Sequence, residues 1–218
     1  MSGAAALPTL RFRLPGDWWA LDLHDRDAAV ASAHRLVRHR IGTQDGRVRV
    51  RQHVTRELTE AIDAAIRADG QSMFIAVKIL DGVPLPLSFT VYLPETGMTP
   101  AIGTDPDRVL EILERGIAHV ATAEHADPGD PADRVRVDLP ETKATRIHRV
   151  RAVDVTSGDD AGTIETLVVD YWVAVPGTKR VMLVSFSTPM AQLQQQLLQF
   201  FDAIMRAARW ERPEGEIA

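Results

Sequence analysis

Histidine, serine and clustered carboxylates are the side chains through which this chain could do chemistry, and their spacing argues against it. The histidines are His24, His34, His39, His53, His119, His125 and His148. None belongs to an HExxH pattern or lies four residues from another, the separation that puts two imidazoles on one helical face for a zinc ion. His34 and His39 are five apart and point in different directions on a helix. Ser72, Ser88, Ser185 and Ser187 fall in strand-like segments with no base assignable beside them, so each is expected to pack or hydrogen-bond instead of attacking a substrate. Asp127, Asp130 and Asp133 gather oxygen donors in one loop. They lack the EF-hand spacing and its closing glutamate, so a solvated turn is expected. There is no GxxxxGKS or GxxxxGKT phosphate loop, no GxGxxG after a strand and no GxSxG elbow. No catalytic residue, metal-ligand set or cofactor is expected.

Two features point to binding. Arg35, Arg38, Arg40, Arg47, Arg49 and Arg51 crowd the end of the first helical segment. If these side chains converge, they suit an acidic or phosphate-bearing partner; the simpler reading is a solvated face balanced by acidic surface elsewhere. No aromatic residues are interleaved to stack bases, so nucleic acid is disfavoured. Trp18 and Trp19 are adjacent on a strand and must face opposite sides, so one indole is a candidate partner contact unless both cover core.

Composition bounds the rest. At 218 residues, 45% hydrophobic and 25% charged, the chain is long enough to bury a full core without staples, and one domain over residues 1–218 is expected. A net charge of -5 gives no global attraction to polyanions. The absence of cysteine removes disulfides, thiolate metal sites and thiol nucleophiles. Arg11, Arg13 and Asp17 interrupt the opening segment, and no stretch approaches about 20 uninterrupted apolar residues. A cytoplasmic protein with no membrane association is expected. Lysine occurs only at Lys78, Lys143 and Lys179 and asparagine not at all, a bias of GC-rich bacterial coding that accounts for many arginines without invoking function.

The elements that must carry these side chains follow from periodicity. Alternation predicts strands over 9–14 and from Trp18 to Leu23. Helical spacing then predicts a helix from Ala28 to Ile41 ended by Gly42, and a second from Val54 to Ile66 ended by Gly70. Met73–Leu80 and Leu85–Leu93 form an expected hairpin around Asp81 and Gly82. Thr104 or Asp105 caps a helix with Pro106 at its first position, running to about Glu124. The DPGDPAD segment from Asp127 is a loop. Strands follow from Val135 to Leu139 and from Thr145 to Val155, with a turn over Ser157–Gly162. Ile164–Val175 and Val181–Phe186 then form a hairpin on a type II turn at Pro176 and Gly177. Thr188 as N-cap and Pro189 at the first position open a last amphipathic helix, expected to end at Trp210, with Leu193, Leu197, Phe200, Phe201, Ile204, Met205 and Ala208 along its apolar side.

This order of elements, the opening RFRLPGDWWAL, and the closing helix after LVSFSTP that ends in AARW together resemble the PsbP-like fold, the superfamily of extrinsic photosystem II PsbP proteins, Ran-binding Mog proteins and DcrB-like lipoproteins. LPGDWW, VPLPLS and the closing STP helix also resemble actinobacterial proteins, some from type VII secretion neighbourhoods. The resemblance implies a non-catalytic surface that docks onto a larger partner, with no shared active-site residues to carry over. The expectation is therefore an α/β (α+β) domain, a mainly antiparallel sheet flanked by helices on both faces and closed by a C-terminal amphipathic helix. Its expected function is that of a cytoplasmic protein-binding or adaptor domain, accessory to a bacterial secretion or toxin system. Trp18, Trp19, Arg35, Arg38, Arg47, Arg49 and Arg51 are its candidate partner contacts. The alternative is an enzyme or small-ligand-binding protein with a pocket between sheet and helices.

Overall fold

Strict two-residue alternation in Val181–Thr188 (β8) sends Val184 and Phe186 to one face of a sheet and Ser185 and Ser187 to the other, and that division of faces organises the whole molecule. The computed structural model describes residues 7–79, 85–95, 103–124, 134–157 and 160–212. Over these the chain is a mixed α/β protein with a large antiparallel sheet and a C-terminal helix.

The strands are β1 (Thr9–Arg11), β2 (Asp17–Asp22), β3 (Gly70–Lys78), β4 (Ser88–Tyr92), β5 (Val135–Leu139), β6 (Thr142–Ser157), β7 (Asp160–Ala174), β8 and β9 (Arg209–Glu211). Seven of them form one sheet in the order β2-β3-β4-β8-β7-β6-β5, every neighbour antiparallel. Helices are α1 (Arg26–Ile41), α2 (Val48–Arg67), α3 (Pro106–Glu124) and α4 (Gln194–Ala207). The expected turn at Asp81 and Gly82 and the loop with Asp127, Asp130 and Asp133 lie outside the described residues.

One face of the sheet takes α4. Leu197, Phe201, Ile204 and Met205 bury against Leu167, Val169, Val184 and Phe186, with the rings of Phe201 and Phe186 stacked at 4.4 Å. Each of these large side chains contributes roughly 1.5–3 kcal/mol on burial. Phe89 extends the aromatic row toward Phe12 and Trp18, at ring separations of 5.0 and 5.5 Å. The opposite face takes α1 and α2 over β2 and β3, where Ala33 and Ile62 meet Leu21 and Met73. It also takes α3 over β6 and β7, where Val109 and Leu110 meet Ala174 and Val181.

Local signals act where expected in several places. Asp105 accepts the Asp107 backbone N–H at 2.8 Å ahead of Pro106. Gly177 has a φ of 70°, which a side chain resists, and the Thr178 N–H donates to the Val175 carbonyl at 3.1 Å, closing the type II turn. Two expectations at the C-terminal end need correction. Thr188 does not cap the last helix: it is the final residue of β8, paired with Leu167, and its hydroxyl accepts the Met190 N–H at 3.3 Å. A single 3-10 turn, Ala191–Leu193, then starts α4. Nor does the helix reach Trp210. The chain becomes extended at Ala208 and continues as β9, whose Trp210 pairs with Leu10 of β1. The pairing partner lies at the other end of the sequence, so no local signal announces it. Upstream, α2 begins at Val48, earlier than the expected Val54, which places Arg49 and Arg51 inside that helix.

Candidate ligand cleft

α1 and α2 pack as a hairpin across one side of the second sheet face, and α3 covers the other side. Between the hairpin and the sheet lies a cleft of about 930 Å³. That volume is near the upper end of the ~300–1,000 Å³ usual for small-molecule sites.

Its walls and floor differ in chemistry. Leu36, Val37 and Ile41 from α1, Val54, Leu58 and Ala61 from α2, and Met73 and Ile75 from β3 make apolar walls. The floor is β4 and β8 with Thr166 of β7, one residue before that strand begins to pair with β8, and it presents Ser88, Thr90, Tyr92, Ser187 and Thr166. Ser88 and Ser187 are cross-strand partners. The hydroxyls of Ser88, Ser187 and Thr166 have no hydrogen bond to another described residue. Tyr92 bonds with Thr90, and burial pushes its hydroxyl pKa above the ordinary value. At the rim stand Arg40, without an ion-pair partner among the described residues, and Glu57, which pairs with His53 at 3.2 Å.

The next row of the sheet holds Asp170, only 7% exposed. Its carboxylate accepts from Arg149 Nη1 at 2.5 Å and from the Ser185 hydroxyl at 2.5 Å. The buried charge is therefore compensated on both oxygens, as it must be to persist away from water. Ser185 donates to a carboxylate and has no imidazole beside it, so the row resembles a support for the floor more than a nucleophile with its base. On the opposite face Asp202 of α4 accepts from Arg146 at 2.7 Å and from the Tyr171 hydroxyl at 2.6 Å, tying helix to sheet. Among the described residues no three histidine or acidic side chains gather as a metal would need. No described helix is long and apolar enough to cross a membrane.

The residues singled out from sequence are placed elsewhere. Trp18 and Trp19 face opposite sides of β2 and both are half-buried. Trp18 packs on Phe89 and donates its indole N–H to the Pro15 carbonyl at 2.8 Å, whereas Trp19 donates to Ser32 Oγ at 3.0 Å. Arg47 donates to the Ile41 carbonyl, and Arg51 to those of Gly42 and Gln44, so these two arginines satisfy the C-terminal end of α1 and its connection to α2. Arg35, Arg38 and Arg49 are exposed on the helical hairpin. His34, Arg38, Arg51 and Arg56 line a shallow basic hollow of about 510 Å³ between α1 and α2.

Of the strand serines expected to pack or hydrogen-bond, Ser185 does so with Asp170, whereas the side chains of Ser88 and Ser187 have no hydrogen-bond partner among the described residues and face the cleft. The signal was present: LSFTVY and LVSFST both alternate a hydroxyl with a large apolar residue inside strands flanked by apolar sequence. A strand covered by helices on both faces ordinarily carries apolar residues on both.

Fold and site together define a mixed α/β protein whose helical hairpin and antiparallel sheet enclose an apolar cleft over a hydroxyl-bearing floor. No family model, curated protein or solved structure matches the chain.

Proposed function

We propose that the protein binds a small amphipathic molecule in the cleft between α1, α2 and the sheet. The observation that carries this reading is the trio Ser88, Ser187 and Thr166, without hydrogen-bond partners for their side chains among the described residues, on the floor of an apolar-walled cleft of about 930 Å³. These hydroxyls are half-exposed, so a ligand that displaces water from them and supplies their hydrogen bonds while covering the apolar walls gains both orientation and affinity.

The probe is the fluorescent dye 1-anilinonaphthalene-8-sulfonate, with Ala61→Phe as the variant that fills the cleft. The native protein is expected to bind the dye saturably at one site. Ala61→Phe is expected to abolish binding while keeping a cooperative thermal transition. Absence of dye binding, or binding that a folded Ala61→Phe leaves untouched, contradicts the proposal.

A second reading concerns the outer side of the same hairpin. Arg35, Arg38 and Arg49 have no ion-pair partner among the described residues, and Val48 and Val50 are exposed beside them. This surface suits an acidic protein partner, with positive charge steering the encounter and the valines providing contact. Association that weakens steeply with added salt and falls in Arg38→Glu supports it.

A further inference from the structure

The arrangement of polarity inside the cleft says more about the ligand than its size does. Apolar side chains approach from the α1, α2 and β3 sides, and the hydroxyls all come from the β4, β8 and β7 side, where Pro86, Leu87 and Pro189 border them. A simple fatty chain would lay methylenes on the hydroxyls and leave them without partners, at a cost for each group buried. A uniformly polar molecule such as a sugar would strip water from Leu36, Leu58 and Ile75 without covering them with apolar surface.

Resting on the cleft reading above, we infer that the ligand is facially amphipathic: a rigid, mainly hydrocarbon skeleton with hydroxyl or carbonyl groups along one face. That face lies on Ser88, Ser187 and Thr166, and the other lies against the helices. Ser88 and Ser187 are directly opposed on adjacent strands, which sets their Cβ atoms about 5 Å apart. Two oxygens on one face of a fused-ring skeleton can meet both. Hydroxyls donate and accept, so they match ligand hydroxyls and carbonyls alike. The floor itself carries no net charge to offer, because Asp170 is already compensated by Arg149 and Ser185. An acidic group on the ligand belongs at the rim, beside Arg40.

Three steroid acids separate this inference from simple partitioning. Lithocholate, deoxycholate and cholate share a skeleton and a carboxylate and carry one, two and three hydroxyls. Titrated below their micelle concentrations, they are expected to bind in the order cholate, deoxycholate, lithocholate, against their order of hydrophobicity. The double variant Ser88→Ala, Ser187→Ala is expected to weaken cholate about three- to tenfold and leave lithocholate nearly unchanged. Arg40→Gln is expected to weaken all three by a similar factor. If all bind saturably with lithocholate tightest and the serine variant has no effect, the cleft binds ligand but the facial inference is overturned. If none binds while the dye still occupies a site that Ala61→Phe closes, the facial inference is again overturned and the cleft reading survives. If neither steroid nor dye binds, both fall.

Discussion

Ser88 of β4 and Ser187 of β8 oppose one another across the middle of the sheet, and both open into the cleft beneath α1 and α2. Their neighbours Phe89 and Phe186 are likewise paired, but on the opposite face, where their rings lie 4.9 Å apart under α4. The same two strands thus build the core with one set of alternate residues and the candidate site with the other.

Stability should separate the two kinds of serine. Ser187→Ala removes a hydroxyl with no partner among the described residues, and its unfolding free energy from urea titration is expected to match the parent within about 0.5 kcal/mol. Ser185→Ala removes a donor from the buried Asp170 carboxylate and is expected to cost about 1–3 kcal/mol. Equal losses would mean the floor hydroxyls are structural.

The tie between α4 and the sheet is expected to behave as a unit. Arg146 and Asp202 side chains are only 12% and 13% exposed, and Tyr171 shares the same carboxylate. Asp202→Ala strands a buried guanidinium and a buried hydroxyl and should cost about 3–5 kcal/mol. Combining Asp202→Leu with Arg146→Met and Tyr171→Phe should recover most of that loss, because no polar group is then left unsatisfied. Denaturant unfolding of the single and triple variants checks both halves.

How much of this could be read from the chain depended on the range of the interaction. The turn at Pro176 and Gly177 and the apolar side of α4 are local patterns, and both stand where periodicity and turn chemistry place them. The end of β8 at Thr188 depends on pairing with Leu167, and β9 depends on β1 at the other terminus. Those ladders override the capping and helical signals of Thr188 and Trp210. The floor was hidden for the same reason: Ser88 and Ser187 become neighbours only because the sheet places β4 beside β8.

Alkaline pH should unfold the protein through its tyrosines. Burial, and then the Asp202 carboxylate, push the Tyr171 pKa well above its ordinary value of about 10. Burial raises Tyr92 as well, against the hydrogen bond with Thr90 that lowers it. The folded state therefore keeps protons that the unfolded chain releases above about pH 10. The contribution is full below that pH and declines as pH rises, by up to about 1.4 kcal/mol per unit for Tyr171. Tyr171→Phe should flatten this decline, and in a Tyr92→Phe background the tyrosinate absorbance, then from Tyr171 alone, should rise only with unfolding.

At the entry to β2, Gly16 has a φ of 72°, and a Cβ built there would lie 2.2 Å from the Lys78 carbonyl oxygen. Gly16→Ala must strain the backbone or part β2 from β3. A loss of about 1–3 kcal/mol is expected from the dihedral alone. Thermal unfolding of this variant, compared with Gly177→Ala in the more open turn, should show the larger shift for Gly16.

Methyl-resolved NMR during titration with 1-anilinonaphthalene-8-sulfonate tests occupancy of the cleft most directly. Leu36, Leu58, Met73 and Ile75 are expected to shift together and saturate, with Leu197 and Ile204 of α4 unmoved. Methyl signals from the cleft that stay fixed, or shifts confined to Val48 and Val50 on the basic outer face, would contradict the account.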